Sequence, residues 1–413
     1  MTVKHLDIGI QQLAVGRPLE CDVLDASGGL LLSRGTILQQ SVVDNWNARG
    51  FTRVRVQIYT GLDQPLDLNK PGPPLTDLMS LYDDRAVVQL AQNFSEATTA
   101  VNDFVMNLAL QGNATLKHIE PIIQTYLSQI EFDNAIVLAN LASPHDCQLS
   151  STNAWLGARS VRMGVLGATV AATLKLSKDQ CNIAAIAGLL HDVSLFDEEQ
   201  TEVEEETLGA EAAEIVEAHQ YWINHSIRSA EMLDGIQGIP EVVRVIVSQV
   251  HEQVDGLGYP RGLTGRHLNI ISRILNLVDA FLTLTEPLED HLALVPSDAM
   301  AYLISHTNQG VFDRECMKAI LLATSIYPVG SKVELDDRSI GTILRSTYTD
   351  PVRPIVSIQG DRPRIIDLRE GGRTVVKPIT DERFPFRRRL PVAAMKQVLW
   401  KPAFISEAVS VGR

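Results

Sequence analysis

The sequence predicts a mainly α protein, with a helical centre flanked by a small N-terminal α+β module and a small β-rich C-terminal module. Three observations carry this reading. Apolar residues recur every three or four positions from Thr76 to about Thr324, as in Val161, Val165, Ala168 and Ala172 or in Ile183, Ile186 and Leu190, which is the spacing of a buried helix face. Short strand-like runs punctuated by turn residues precede and follow that stretch. Between Gly61 and Pro74 the run GLDQPLDLNKPGPP carries four prolines, which neither continue a helix nor donate to a sheet, so a boundary belongs there. The expected division is an N-terminal module over 1–60, a linker over 61–75, a helical domain over 76–325 with a helical lead-in over 76–145, and a C-terminal module over 326–413.

In the first module, Pro18 to Leu24, Gly29 to Leu32 and Thr52 to Val56 read as strands and Ser41 to Arg49 as a helix. In the helical domain, AAIAGLLHD ends a buried-looking helix on His191 and Asp192, and NHSIRSAEML carries His225. His251 opens HEQVDGLGYPRGL, a glycine-rich loop, and ILNLVDAFLTL surrounds Asp279 with apolar neighbours. After Tyr327-Pro328-Val329-Gly330, the runs Lys332 to Leu335, Gly341 to Leu344, Ile355 to Ile358 and Thr374 to Val376 read as short strands.

The 413 residues are 45% apolar and 21% charged, which is enough to bury ordinary cores and excludes a disordered chain. The 36 basic against 50 acidic residues give a net charge of −14, which repels phosphate backbones and anionic lipid and argues against nucleic acid as a partner. The start, MTVKHLDIGIQQLAVG, lacks the apolar core of a secretory signal, and Ile183 to Leu190 is too short to span a bilayer; a cytoplasmic protein without membrane insertion is expected. Cys21, Cys147, Cys181 and Cys316 form no C-x-x-C pair and are expected to be small core residues. Asp197 to Glu217 holds ten acidic residues, and Arg362 to Arg389 holds nine basic against four acidic ones. Both runs read as solvated surface, with a mutual contact as the alternative.

Taken singly, each histidine reads as a hydrogen-bonded core residue. Buried carboxylates and imidazoles converging from several helices are, however, what a divalent cation needs. Together the segments resemble the HD-GYP family of bacterial cyclic di-GMP phosphodiesterases, a branch of the HD-domain metal-dependent phosphohydrolases. The resemblance runs from Arg159 to about Pro328. HEQVDGLGYPRGLTG stands for the family's H-H-E-x-x-D-G-x-G-Y-P-x-G-L loop, and GLLHDVSLF for its H-D-x-G-K helix. VGRPLECDVLDASGGLLLSRGTIL and YPVGSKVELDDRSIGTIL resemble modules that commonly flank such domains.

The resemblance implies an all-helical HD-type domain whose histidines and aspartates hold two or three divalent ions, iron or manganese, that activate a water for attack on the phosphodiester. Carried over position by position, His191, Asp192, His225, His251 and Asp279 are the retained metal ligands, and Asp255, Gly256, Gly258, Tyr259 and Pro260 the retained GYP loop. Three positions are replaced: the family's first histidine falls on Arg159, the lysine of H-D-x-G-K on Leu195, and the first histidine of the loop on Val250. The basic residues that grip the dinucleotide phosphates fall on Leu288 and His291.

Val250 offers no lone pair, and Arg159 sets a fixed cation where a ligand belongs, so metal affinity is expected to fall. The Arg159 guanidinium is expected to pair with Asp192 or Asp279 in place of an ion. An acidic run beside a site stripped of phosphate-binding cations disfavours cyclic di-GMP as a ligand. The first expectation for function is a degenerate HD-GYP protein of cyclic di-GMP signalling that acts through protein partners, which the resemblance suggests are of diguanylate-cyclase type and dock on the GYP loop. That loop also has a purely structural reading, in which its glycines permit tight turns and Tyr259-Pro260 packs it. The alternative function is a working phosphodiesterase, or a phosphohydrolase of changed substrate, using the five retained ligands with waters in the vacated positions. A third reading, nucleic-acid binding by Arg387 to Arg389 beside Phe384 and Phe386, is opposed by the acidity of the rest of the chain.

Overall fold

The computed structural model describes residues 2–60, 66, 84–141, 152–196, 223–286 and 294–379, with short interruptions inside the first and last of these ranges. The linker other than Leu66, the acidic run from Asp197 to Glu217, Leu288, His291 and the cluster from Phe384 to Arg389 lie outside the described residues.

The N-terminal module is a four-stranded antiparallel sheet of order β1-β4-β2-β3, built from β1 (Thr2–Gly9), β2 (Asp22–Leu24), β3 (Leu30–Leu32) and β4 (Arg53–Thr60). Helix α1 (Gln40–Ala48) contributes Val43 and Trp46 to a core with Ile10, Val23, Leu38, Val54 and Val56. Strand β1 is absent from the sequence expectation, and the reason is physical. Its middle residues His5, Leu6 and Asp7 are all exposed, so pairing along β4 holds this stretch, which shows no buried alternation.

The centre of the chain is helical, as the apolar spacing predicts. Helices α2 (Asp84–Gln111) and α3 (Glu120–Leu141) lead into α4 (Thr152–Thr173) and α5 (Lys178–Leu190). Then come α6 (residues 223–232), α7 (Glu241–Val247), α8 (Ile270–Thr285), α9 (Pro296–Asn308) and α10 (Arg314–Thr324). Local chemistry sets several starts. Ser177 and Gln180 form a capping box at α5, Asn269 accepts from Ile271 N at α8, and Asp313 accepts from Glu315 N and Cys316 N at α10. Helices α4 and α5 cross in close contact because both are glycine at the crossing: a Cβ on Gly188 would lie 2.7 Å from the Gly164 Cα. A short parallel pair, β5 (Ala114–Thr115) with β6 (Ile236–Gln237), ties the lead-in helices to the segment that follows α6.

The C-terminal module is a five-stranded antiparallel sheet of order β10-β9-β8-β7-β11, from β7 (Lys332–Leu335), β8 (Ile340–Arg345), β9 (Ile355–Ile358), β10 (Arg364–Asp367) and β11 (Val375–Ile379). Strand β10 lies within the basic run and is not among the expected strands. Val333, Leu335, Ile343, Val356, Ile358 and Leu368 belong to the same apolar cluster as the helices. Arg345 pairs with Asp133 at a kink in α3, and Ser346 Oγ donates to Leu322 O at 2.9 Å. Among the described residues, Cys21, Cys181 and Cys316 are in no disulfide; Cys181 and Cys316 are buried, and Cys21 is half-buried. No helix among the described residues is long and apolar enough to cross a membrane.

Candidate metal centre

Four elements bring the candidate ligands together. His191 and Asp192 follow the last turn of α5, His225 lies on α6, His251 follows α7, and Asp279 lies on α8. All five side chains are buried. His191 Nδ1 donates to Gly188 O at 2.9 Å, which directs Nε2 at the carboxylates, 2.9 Å from Asp192 Oδ2 and 3.9 Å from Asp279 Oδ1. His225 Nε2 lies 3.3 Å from Asp192 Oδ1 and 2.8 Å from His251 Nε2, so two imidazole nitrogens and one carboxylate oxygen converge on one point. One ligand atom from each of Asp192, His225 and His251 falls within a span of 4.8 Å.

Two buried imidazoles and a buried carboxylate with converging ligand atoms are the donor types that a divalent cation takes. The donor set therefore fits a metal ion on the Asp192 side. The electrostatics agree with the geometry. Burial pushes the Asp192 carboxyl up, but the imidazoles of His191 and His225 outweigh it and hold it well below the usual carboxylate range. Burial and the neighbouring His225 push His251 down, against Asp279 and Asp192, so it is the neutral ring that a metal requires. His191 moves the other way, because Asp192 and Asp279 overcome the effect of burial.

The Asp279 side is built differently. Arg159 on α4 is buried and reaches across to α8, where its Nη2 donates to Asp279 Oδ1 at 2.6 Å and to Thr283 Oγ1 at 2.7 Å. Its Nη1 donates to Glu286 Oε2 at 2.6 Å, and the other oxygen of Glu286 accepts from Arg162 Nη1 at 3.2 Å. Burial opposes the charge on Arg159, but Glu286, Asp279 and Asp192 together raise its pKa. Of the two partners expected for Arg159, the structure pairs it with Asp279 and leaves Asp192 to the histidines. Burial pushes Asp279 up, but Arg159 and the surrounding imidazoles hold it below the usual range.

The replaced positions lie nearby. Val250 is fully buried, and Leu195 packs partly buried against the main core. The loop after His251 is braced from beneath. Tyr259 stacks on the His251 ring at 4.9 Å between centroids, and burial pushes its phenol well up, so it stays neutral. Asp255 Oδ1 accepts from Leu257 N, Gly256 adopts φ +80°, and a Cβ on Gly258 would strike the backbone of Glu252 and Gln253; Tyr259-Pro260 is cis.

Glu252, Arg162, Thr283 and Glu286 are not among the expected site residues. For the last three the signal is the helical stride: Arg159 and Arg162 at i, i+3, and Asp279, Thr283 and Glu286 at i, i+4, i+7, put each set on one face. Glu252 accepts from Arg261 N and Leu263 N, both at 2.8 Å, and so holds the loop closed from a buried position. Glu252→Gln turns an amide group toward one of those donors. It is expected to cost about 1.5–3 kcal/mol, seen as lost amide-exchange protection at Arg261 and Leu263 with the helices unaffected.

Comparison with known proteins sets this geometry among relatives. Residues 147–316 match the family model described as HD domain. A cyclic di-GMP phosphodiesterase of Pseudomonas aeruginosa is 25% identical over 234 residues, covering 55% of each chain. Cyclic di-GMP phosphodiesterase PdeB of Borreliella burgdorferi is 27% identical over 191 residues, covering 46% of this chain and 47% of its own. The cyclic di-GMP phosphodiesterase response regulator RpfG of Xanthomonas campestris is 26% identical over 204 residues, covering 49% and 51%. The chain thus spans about half the length of the curated relatives it matches.

Proposed function

We propose that the chain is an HD-GYP-type protein of cyclic di-GMP signalling with weak or lost phosphodiesterase activity, acting through protein partners; the match of residues 147–316 to the HD-domain family model supports its placement in that family. The observation that carries this reading is Arg159: a guanidinium, with no lone pair to offer, occupies one side of the cluster and is bonded to Asp279 at 2.6 Å. Val250, buried and apolar, adds no donor on the loop side.

Asp192, His225 and His251, with His191 adjoining, would hold a divalent ion, and a mixed nitrogen and oxygen donor set suits iron or manganese. Such an ion, when bound, lowers the pKa of water and neutralises charge on phosphate oxygens. The chain's own residues supply the positioning. Gly188 O fixes the His191 ring, Tyr259 backs the His251 ring, and Ser194 Oγ donates to His225 O while Ser229 Oγ donates to Ser194 Oγ, which holds α6 against the turn carrying Asp192.

The second reading, a working phosphodiesterase with a reduced ligand set, is favoured by the convergence of ligand atoms from Asp192, His225 and His251 within 4.8 Å. The two readings separate when hydrolysis of cyclic di-GMP under manganese or ferrous iron is compared between the wild type and Asp192→Ala. Equal, background-level rates are expected. A wild-type rate that Asp192→Ala abolishes would establish the second reading instead.

A further inference from the structure

We infer that Arg159, braced by Glu286 and Arg162, stands in for a cation at Asp279, so that the cluster takes one divalent ion on the Asp192 side and no second ion beside Asp279. This rests on the metal-binding reading of the Asp192 side, and it concerns how many ions the site takes.

Both oxygens of Asp279 are engaged: Oδ1 accepts from Arg159 Nη2 at 2.6 Å, and Oδ2 faces His251 Nδ1 at 3.5 Å. Asp279 is thereby turned into a positioning group that orients His251 through Nδ1 and leaves Nε2 toward Asp192 and His225. Glu286, the other carboxylate on that side, spends one oxygen on each of two guanidiniums. Aromatic faces back both cations and restrict their movement. Arg159 lies 5.5 Å from the centroid of the Trp155 ring, and Arg162 lies 5.2 Å from that of Phe94. A divalent ion beside Asp279 would share one carboxylate with a buried, fixed positive charge.

The pairing of the charges points the same way. The two guanidiniums of Arg159 and Arg162 are bonded to Asp279 and Glu286, whereas Asp192 faces only imidazoles. The group of ligand atoms close enough to share an ion, from Asp192, His225 and His251, lies on the same side and excludes Asp279.

The test is ion stoichiometry in the full chain. Manganese is titrated into metal-free protein, with binding followed by calorimetry, spin-coupled manganese pairs sought by electron paramagnetic resonance, and thermal midpoints recorded alongside. The wild type is expected to hold one ion and show no coupled pair. Arg159→Gln is expected to gain a second ion and to be stabilised by manganese more than the wild type is. Asp279→Asn is expected to keep one ion, and this result stands even where Arg159→Gln fails to fold. Two ions in the wild type, a folded Arg159→Gln with no more ions than the wild type, or loss of the ion in Asp279→Asn would each overturn the inference. No ion in the wild type but one in Arg159→Gln would uphold the role of Arg159 and sink the metal-binding reading of Asp192, so the two failures are distinguishable.

Discussion

Arg159→Met lowers the stability of the metal-free protein by about 3–5 kcal/mol, because it strips the counterion from two buried carboxylates without removing either of them. Asp279 loses a partner at 2.6 Å, and Glu286 keeps only Arg162 at 3.2 Å. Methionine fills much of the same volume, so the loss reflects charge and hydrogen bonding more than a cavity. The measurement is the denaturation midpoint at unchanged denaturant slope, and the double variant with Asp279→Asn supplies the control. If the ion pair is responsible, the second substitution recovers part of the loss, since it neutralises a charge left stranded by the first. A double variant less stable than either single one would show that Arg159 acts through packing on Trp155 instead.

Asp192→Ala is expected to weaken manganese binding by more than about 100-fold, beyond what loss of a residue behind a ligand causes. Asp192 is the one carboxylate of the group that can share an ion, and each of its oxygens faces a different histidine. The same substitution also removes the charge that those buried imidazoles face, so its effect on folding is a separate reading. Calorimetric titration beside a thermal scan distinguishes lost binding from lost structure, and an affinity within a few-fold of the wild type would exclude Asp192 as a ligand.

Much of this arrangement is legible in the order of residues along the chain. The stride of apolar residues marks the helices, and a His-Asp pair at the end of one of them, with His225, His251 and Asp279 in separate apolar runs, marks groups that fold together. What the sequence hides is which of those groups are bonded to one another. Arg159 and Glu286 are 127 positions apart, and each, read locally, is an ordinary charged residue on or beside a helix. Glu252 is concealed for a different reason. Its partners are the backbone N–H groups of Arg261 and Leu263, and no side-chain pattern announces a bond to backbone. Strand β1 escapes because period-2 alternation reports a buried face, and His5, Leu6 and Asp7 in its middle are all exposed.

The C-terminal sheet shares its apolar interior with the helices, while the N-terminal module keeps an interior of its own. A cut near residue 330 would look natural from the change of secondary structure, yet it would uncover the face on which Val333, Ile343 and Val356 rest and break the link from Arg345 to Asp133. The helices that carry the histidines therefore depend on a tail that contributes none of them. Damage to that tail, by truncation or by a charge placed on its inner face, would reach the centre as a loss of rigidity with every ligand still in the chain.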